Sequence, residues 1–159
     1  MKSSHRFSFS FDYKLLQKDV ASISEAWHPH FNTRNYTGDW SGLPLREPSN
    51  KTHDLSTLSE FGEYVDTKLL VSTNYIPSVL QFFKCPITSV RLLKLKSGSK
   101  IKEHRDPDLT FWEGFIRLHV PVQTNEKVEF ILDGSYLDMK PGECWFGAFA
   151  KPHSVNNMG

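Results

Sequence analysis

His104 and Asp106 are separated by one residue in the run Glu103-His104-Arg105-Asp106. On an extended segment, two side chains at that spacing leave the same face, so an imidazole and a carboxylate can converge on one divalent ion. A third donor comes from His153, in the later run Lys151-Pro152-His153-Ser154. Two imidazoles and one carboxylate on one side of an ion leave the opposite positions open, the arrangement used by non-haem Fe(II) oxygenases, so the set reads as catalytic rather than structural. The dyad by itself is a weak signal in a chain with seven histidines, and its bland reading is a solvated Arg-Asp-Pro-Asp turn. Its weight comes from context: the acid lies at a strand end, and the later histidine follows an aromatic strand.

Arg117 and His119 fall on one face of the run Phe115 to Val122, alternating with Ile116, Leu118 and Val120. A strand apolar on one face and cationic on the other suits an anion pocket, because a guanidinium matches a carboxylate in two parallel bonds. The competing reading is a solvated outer edge. Trp40 and Arg46, in the loop-rich first half, are candidates to pack against and pair with a substrate carboxylate; a core tryptophan and a surface arginine are the plainer alternative. His28-Pro29-His30 reads as a solvated turn, and His5 and His53 read as surface residues.

The elements that must position these groups divide into a mixed strand and helix part over 1–87 and a β-rich part over 88–159, within a single domain. Phe7, Phe9 and Phe11 alternate as in a half-buried strand, and Leu16, Val20, Ile23 and Trp27 follow at helical spacing. Trp40 to Leu45 reads as a strand between long loops. Leu58, Phe61, Val65 and Leu69 repeat the helical pattern, and a short helix follows at Pro77. From Thr88 onward, Ser97-Gly98-Ser99, Asp133-Gly134 and Pro141-Gly142 punctuate short apolar or alternating runs. The expected strands are Ser89 to Leu95, Ile101 to His104, Phe115 to Val122, Val128 to Leu132, Tyr136 to Met139, Glu143 to Phe149 and a piece around His153. Short strands with tight turns suggest a sandwich or a small cupin-like jelly roll.

Nineteen basic against eighteen acidic side chains leave almost no net charge, which argues against a nucleic-acid backbone or an anionic membrane as partner and favours a small amino acid or peptide. Cys85 and Cys144 both lie in apolar surroundings and read as reduced core residues. With no apolar run near the roughly 20 residues of a membrane span, a cytoplasmic protein is expected.

The ordered runs IKEHRD, FIRLHVPVQTN, VEFILDG, MKPGECWFGAF and KPHSVNN resemble the catalytic core of the aspartyl/asparaginyl β-hydroxylase family of Fe(II)- and 2-oxoglutarate-dependent dioxygenases. The resemblance covers about Thr88 to the end, and GDWSGLPLR is similar to an upstream segment of bacterial members, including free-proline hydroxylases. It implies a mostly β chain with flanking helices folded as a double-stranded β-helix, with His104, Asp106 and His153 as the iron triad. Arg117 and His119 would contact 2-oxoglutarate or line its pocket. Fe(II), 2-oxoglutarate and O2 are the implied cofactors, with ascorbate in support. The implied reaction hydroxylates an amino acid, free or as an Asp/Asn-type residue in a peptide or protein. Members that act on secreted domains lack the acid of the triad, so Asp106 places this sequence nearer the full-triad branch. Family members also carry, on a last strand after the second triad histidine, an arginine that grips the distal carboxylate of 2-oxoglutarate. No arginine follows His153 here, and a longer natural product is expected.

Two other readings stay open at the level of sequence. A cupin-type metal enzyme without 2-oxoglutarate would bind metal but not turn over the cosubstrate. A non-catalytic ligand-binding or sensor module of the same fold would tolerate loss of His104 or Asp106.

Overall fold

A computed structural model of the 159-residue chain describes residues 2–51, 55–56, 62–106, 112 and 114–159. In chain order the elements are β1 (Ser4–Ser10), α1 (Tyr13–Ala21), β2 (His28–Pro29), a single 3-10 turn (Thr33–Asn35), β3 (Tyr36–Thr37), β4 (Trp40–Pro48), β5 (Tyr64–Asp66), α2 (Lys68–Ser72) and α3 (Ile76–Phe82). Then come β6 (Val90–Leu95), β7 (Ser99–His104), β8 (Arg117–His119), β9 (Val128–Leu132), β10 (Ser135–Tyr136), β11 (Glu143–Gly147) and β12 (His153–Asn157). The chain is mostly β with few helices, compatible with a sandwich or cupin-like arrangement. Among the described residues no helix is long and apolar enough to cross a membrane.

The chain forms two compact units: Met1–Tyr13, Asn32–Trp40 and Leu95–Gly159 make one, and Lys14–Phe31 and Ser41–Lys94 the other. The first unit holds a three-stranded sheet in the order β1-β11-β8 and a five-stranded sheet in the order β10-β9-β12-β7-β3, with antiparallel pairing throughout. Alternation along β9 turns Phe130 and Leu132 into a common core with Leu137 and Phe149, which follow β10 and β11, joined by Trp145 from β11 and Val155 from β12. A side chain at Gly147 has no room: a Cβ there would stand 2.6 Å from Phe149 Cζ and 3.2 Å from Leu132 Cδ2, so glycine lets β11 approach the core closely. The Asp133-Gly134 turn joins β9 to β10 in two residues, both with positive φ (51° and 74°), as a type I′ hairpin requires.

The second unit holds β2-β4-β5, with β6 also paired to β4, and the three helices. Asp19 of α1, only 2% exposed, accepts bonds from the backbone N–H groups of Asn74, Tyr75 and Ile76 at 3.0, 2.7 and 2.8 Å. Those donors open α3 and have no partner within the helix, so one carboxylate from a distant helix caps it. Burial pushes the Asp19 carboxyl up, but these bonds outweigh it and hold the group below its ordinary 3.8.

Several expected elements differ. Val65 lies in β5, not in a helix with Leu69, and Leu58 and Phe61 of that pattern lie outside the described residues. Period alone could not separate the two, because Val65 pairs with Glu47 of β4 in a ladder that no local pattern reveals. The first helix stops at Ala21, short of Ile23 and Trp27. Strand β8 keeps only Arg117–His119 of the expected run Phe115 to Val122, and β10 keeps only Tyr136 of Tyr136 to Met139. Cys144 is fully buried, and desolvation pushes its thiol up to about 11; Cys85 is exposed, not a core residue.

Candidate metal centre

His104 closes β7 and His153 opens β12, and the two residues are direct partners in the pairing of those strands. Their rings lie 4.2 Å apart between centroids. Past the end of β7, the Asp106 N–H donates to the Phe149 carbonyl at 2.9 Å, which holds this residue against the segment leading into β12. Asp106 Oδ1 is then 3.7 Å from His104 Nε2, and Oδ2 is 3.9 Å from His153 Nε2. The three ligand atoms all lie within 4.8 Å of one another. Donors bonded to one first-row ion at about 2.1 Å stand roughly 3 to 4 Å apart, so a small contraction would seat the ion.

The backbone selects which ring nitrogen faces the site. His104 Nδ1 lies 2.8 Å from the Lys102 carbonyl, and His153 Nδ1 lies 2.9 Å from the Lys151 carbonyl. A carbonyl only accepts, so each Nδ1 carries the proton and each Nε2 is left to bind a metal. Burial lowers the His153 pKa, with the neighbouring His104 and Arg117 acting in the same direction against the Lys151 carbonyl and Asp106. The imidazole therefore stays neutral, the form that binds a metal, to lower pH than a free histidine.

Arg117 and His119 stand on β8, opposite Gly147 and Trp145 of β11. Arg117 Nη1 donates to Asp106 Oδ2 at 2.6 Å, and its guanidinium lies 5.1 Å from the centre of the Phe149 ring. Its Nη2 is buried with no hydrogen-bond partner among the described residues. Burial lowers the Arg117 pKa and Asp106 opposes that shift, while an arginine stays charged at any ordinary pH. The His119 ring stacks on Phe149 at 4.6 Å and on Phe130 at 6.0 Å. An orphaned guanidinium nitrogen beside an N, N, O donor set is what a metal with a carboxylate ligand would satisfy, since leaving such a donor unpaired costs about 1 to 3 kcal/mol.

Of the residues singled out in the sequence, His104, Asp106, His153, Arg117 and His119 thus come together in the first unit. Trp40 is buried at 8% exposure, its ring edge-to-face with Tyr36 at 5.6 Å. Arg46 belongs to the second unit, where Nε donates to the Ile87 carbonyl at 3.0 Å and Nη1 to Asp66 at 2.5 Å. It also lines an open cleft of about 450 Å³ in that unit, with Leu70, Leu80 and Ile87. His28 lies in β2, and His30, expected in a solvated turn, is buried and stacked on Phe31. His53 lies outside the described residues. Sequence reasoning missed Phe149; its signal was an aromatic four residues before a candidate ligand.

Site and scaffold together give a mostly β chain with a His-Asp-His donor set that could hold a metal ion. The chain belongs to the aspartyl/asparaginyl beta-hydroxylase family, whose sequence model matches residues 11–159. It is also similar to the L-proline cis-4-hydroxylase of Rhizobium meliloti (strain 1021), with 24% identity over 147 residues covering 91% of this chain and 52% of that protein. The chain spans about half the length of this curated relative.

Proposed function

We propose that the chain is an Fe(II)- and 2-oxoglutarate-dependent hydroxylase built on a double-stranded β-helix. Its substrate would be an amino acid, free or as an Asp/Asn-type residue in a peptide. The carrying observation is the pairing of the His104, Asp106, His153 donor set with the buried Nη2 of Arg117, which has no hydrogen-bond partner among the described residues. Family membership and the proline hydroxylase relative support the same reading.

His104 and His153 would hold Fe(II) through Nε2 and Asp106 through its carboxylate. When bound, iron and 2-oxoglutarate supply activation of O2, coupling decarboxylation of the cosubstrate to succinate and CO2 with insertion of one oxygen atom into a substrate C–H bond. The protein contributes orientation and charge. The carbonyls of Lys102 and Lys151 fix the two imidazoles, and Arg117 holds the Asp106 carboxylate through Nη1 and offers Nη2 to an anionic ligand. His119, flat against Phe149, gives that anion a second polar wall. No side chain has to serve as acid, base or nucleophile.

The test is an anaerobic titration with Fe(II) and 2-oxoglutarate, followed by a panel of amino acids and peptides scored for succinate release. The expected result is a visible charge-transfer band that is lost in His153→Ala, and succinate release above background with at least one substrate class. Iron binding without that band would count against 2-oxoglutarate and favour a metal enzyme with other cosubstrates.

A further inference from the structure

Phe149 touches both halves of the site. Its carbonyl accepts the Asp106 N–H at 2.9 Å, its ring meets His153 edge-on at 5.0 Å, and His119 stacks on it at 4.6 Å. The Arg117 guanidinium lies over the same ring at 5.1 Å. The ring is 2% exposed and is held from behind by the bare backbone of Gly147, where a Cβ would stand 2.6 and 2.7 Å from Cζ and Cε2. Such a ring cannot tilt without moving an imidazole on one side or a cation on the other, because a close-packed interior leaves no slack. Side chains that hold metal ligands in place commonly act through hydrogen bonds; here an aromatic face and a main-chain carbonyl do the same work.

We infer that Phe149 is a positioning residue for the metal centre, fixing His153 and Asp106 as ligands and joining their geometry to that of Arg117 and His119, with Gly147 required as glycine to seat its ring. The inference rests on the metal reading above.

The probe is Co(II), whose visible absorption reports ligand number and geometry, titrated into the parent, Phe149→Leu, Gly147→Ala and, as a control from the same core, Leu137→Ala. Phe149→Leu and Gly147→Ala are expected to weaken Co(II) binding about 10- to 100-fold and to change the band shape, as loss of a ligand-orienting neighbour does. Leu137→Ala should stay within about twofold of the parent with the parent's band, whatever its loss of thermal stability. Gly147→Ala keeps every core side chain, so it carries the test if Phe149→Leu does not fold. Folded Phe149→Leu or Gly147→Ala with parental affinity and spectrum would overturn the inference, and so would an equal loss in Leu137→Ala. A parent that binds no Co(II) overturns the metal reading instead, and the proton spectrum of the metal-free protein then judges the ring geometry alone. Ring-current shifts should place the His119 ring protons upfield of their unfolded positions, and unshifted resonances would overturn the stacking that the inference needs.

Discussion

Arg117 and Asp106 form a 2.6 Å charge-assisted bond that ties a cation on β8 to a carboxylate at the end of β7. The arginine is the more deeply buried partner, with a side chain 17% exposed against 26% for the acid, and only one of its terminal nitrogens is engaged among the described residues. A buried fork half-used by one carboxylate suits a second one. The pair therefore joins the proposed metal-binding part of the site to the proposed anion-binding part.

Replacing Arg117 separates these parts. Arg117→Met should leave Co(II) binding within a few fold of the parent but lower the affinity of the Co(II) form for 2-oxoglutarate by about 10- to 150-fold, since a charge-assisted bond is worth about 1.5 to 3 kcal/mol. Arg117→Lys should recover only part of that loss, because an ammonium cannot fork between two carboxylates. Calorimetry of 2-oxoglutarate binding decides it; unchanged affinity in Arg117→Met would remove Arg117 from the anion pocket.

The three donors are expected to act as a unit. His104→Ala, Asp106→Ala and His153→Ala should each lower metal affinity by more than about 100-fold, beyond what loss of an outer partner costs. Hydroxylation should then fall to background. Retained turnover in Asp106→Ala would show that two histidines suffice.

Asp19 has a structural role with a defined pH dependence. Asp19→Ala removes the acceptor for three N–H groups at the start of α3 and should cost about 2 to 4 kcal/mol by urea denaturation near neutral pH. The native carboxyl titrates below its ordinary 3.8. Its contribution is therefore complete above the unfolded value and is lost as pH falls from there through the native value. The stability gap between the parent and Asp19→Asn should narrow below pH 3.8 and hold constant above it.

The two thiols should differ in reactivity. Iodoacetamide at pH 8 should modify the exposed Cys85 and spare Cys144, which is fully buried with its thiol pushed up to about 11. Mass spectrometry of the native protein should find one adduct, and a second only after unfolding.

Gly38 should resist substitution. Its φ of 83° already disfavours any other residue, and a Cβ there would run into the Ser99 side chain and stand 2.9 Å from Ser99 Cα. Ser99 Oγ also accepts the Asp39 N–H at 2.8 Å, so displacing it breaks a second contact. Gly38→Ala should lower Tm by several degrees, about 1 to 3 kcal/mol, in a thermal melt.

Much of this was legible because it is local. The Asp133-Gly134 hairpin follows from two residues that tolerate positive φ, and the limits of β9 follow from an apolar run with turn signals at both ends. The spacing of His104 and Asp106 pointed to a shared ion, and the two lie together with His153. What was not legible depends on partners far along the chain. Val65 is a strand residue because Glu47 is its neighbour, and β8 starts only at Arg117 because β11 ends at its partner Gly147. Phe149 is a hub only once His119, Arg117 and His153 have been brought round it, which no window of sequence contains.

Strand β12 lies between β7 and β9, neither of which adjoins it through a short turn. Inserting it closes large loops before any contact rewards the closure, so this step belongs to the slow part of folding. Until it docks, β7 and β9 each present an open edge, and the chain holds two of the three candidate ligands without the one that completes the set. Productive folding then competes with association of chains through those edges, and protein concentration during refolding, more than final stability, sets how much of the chain ever acquires the site.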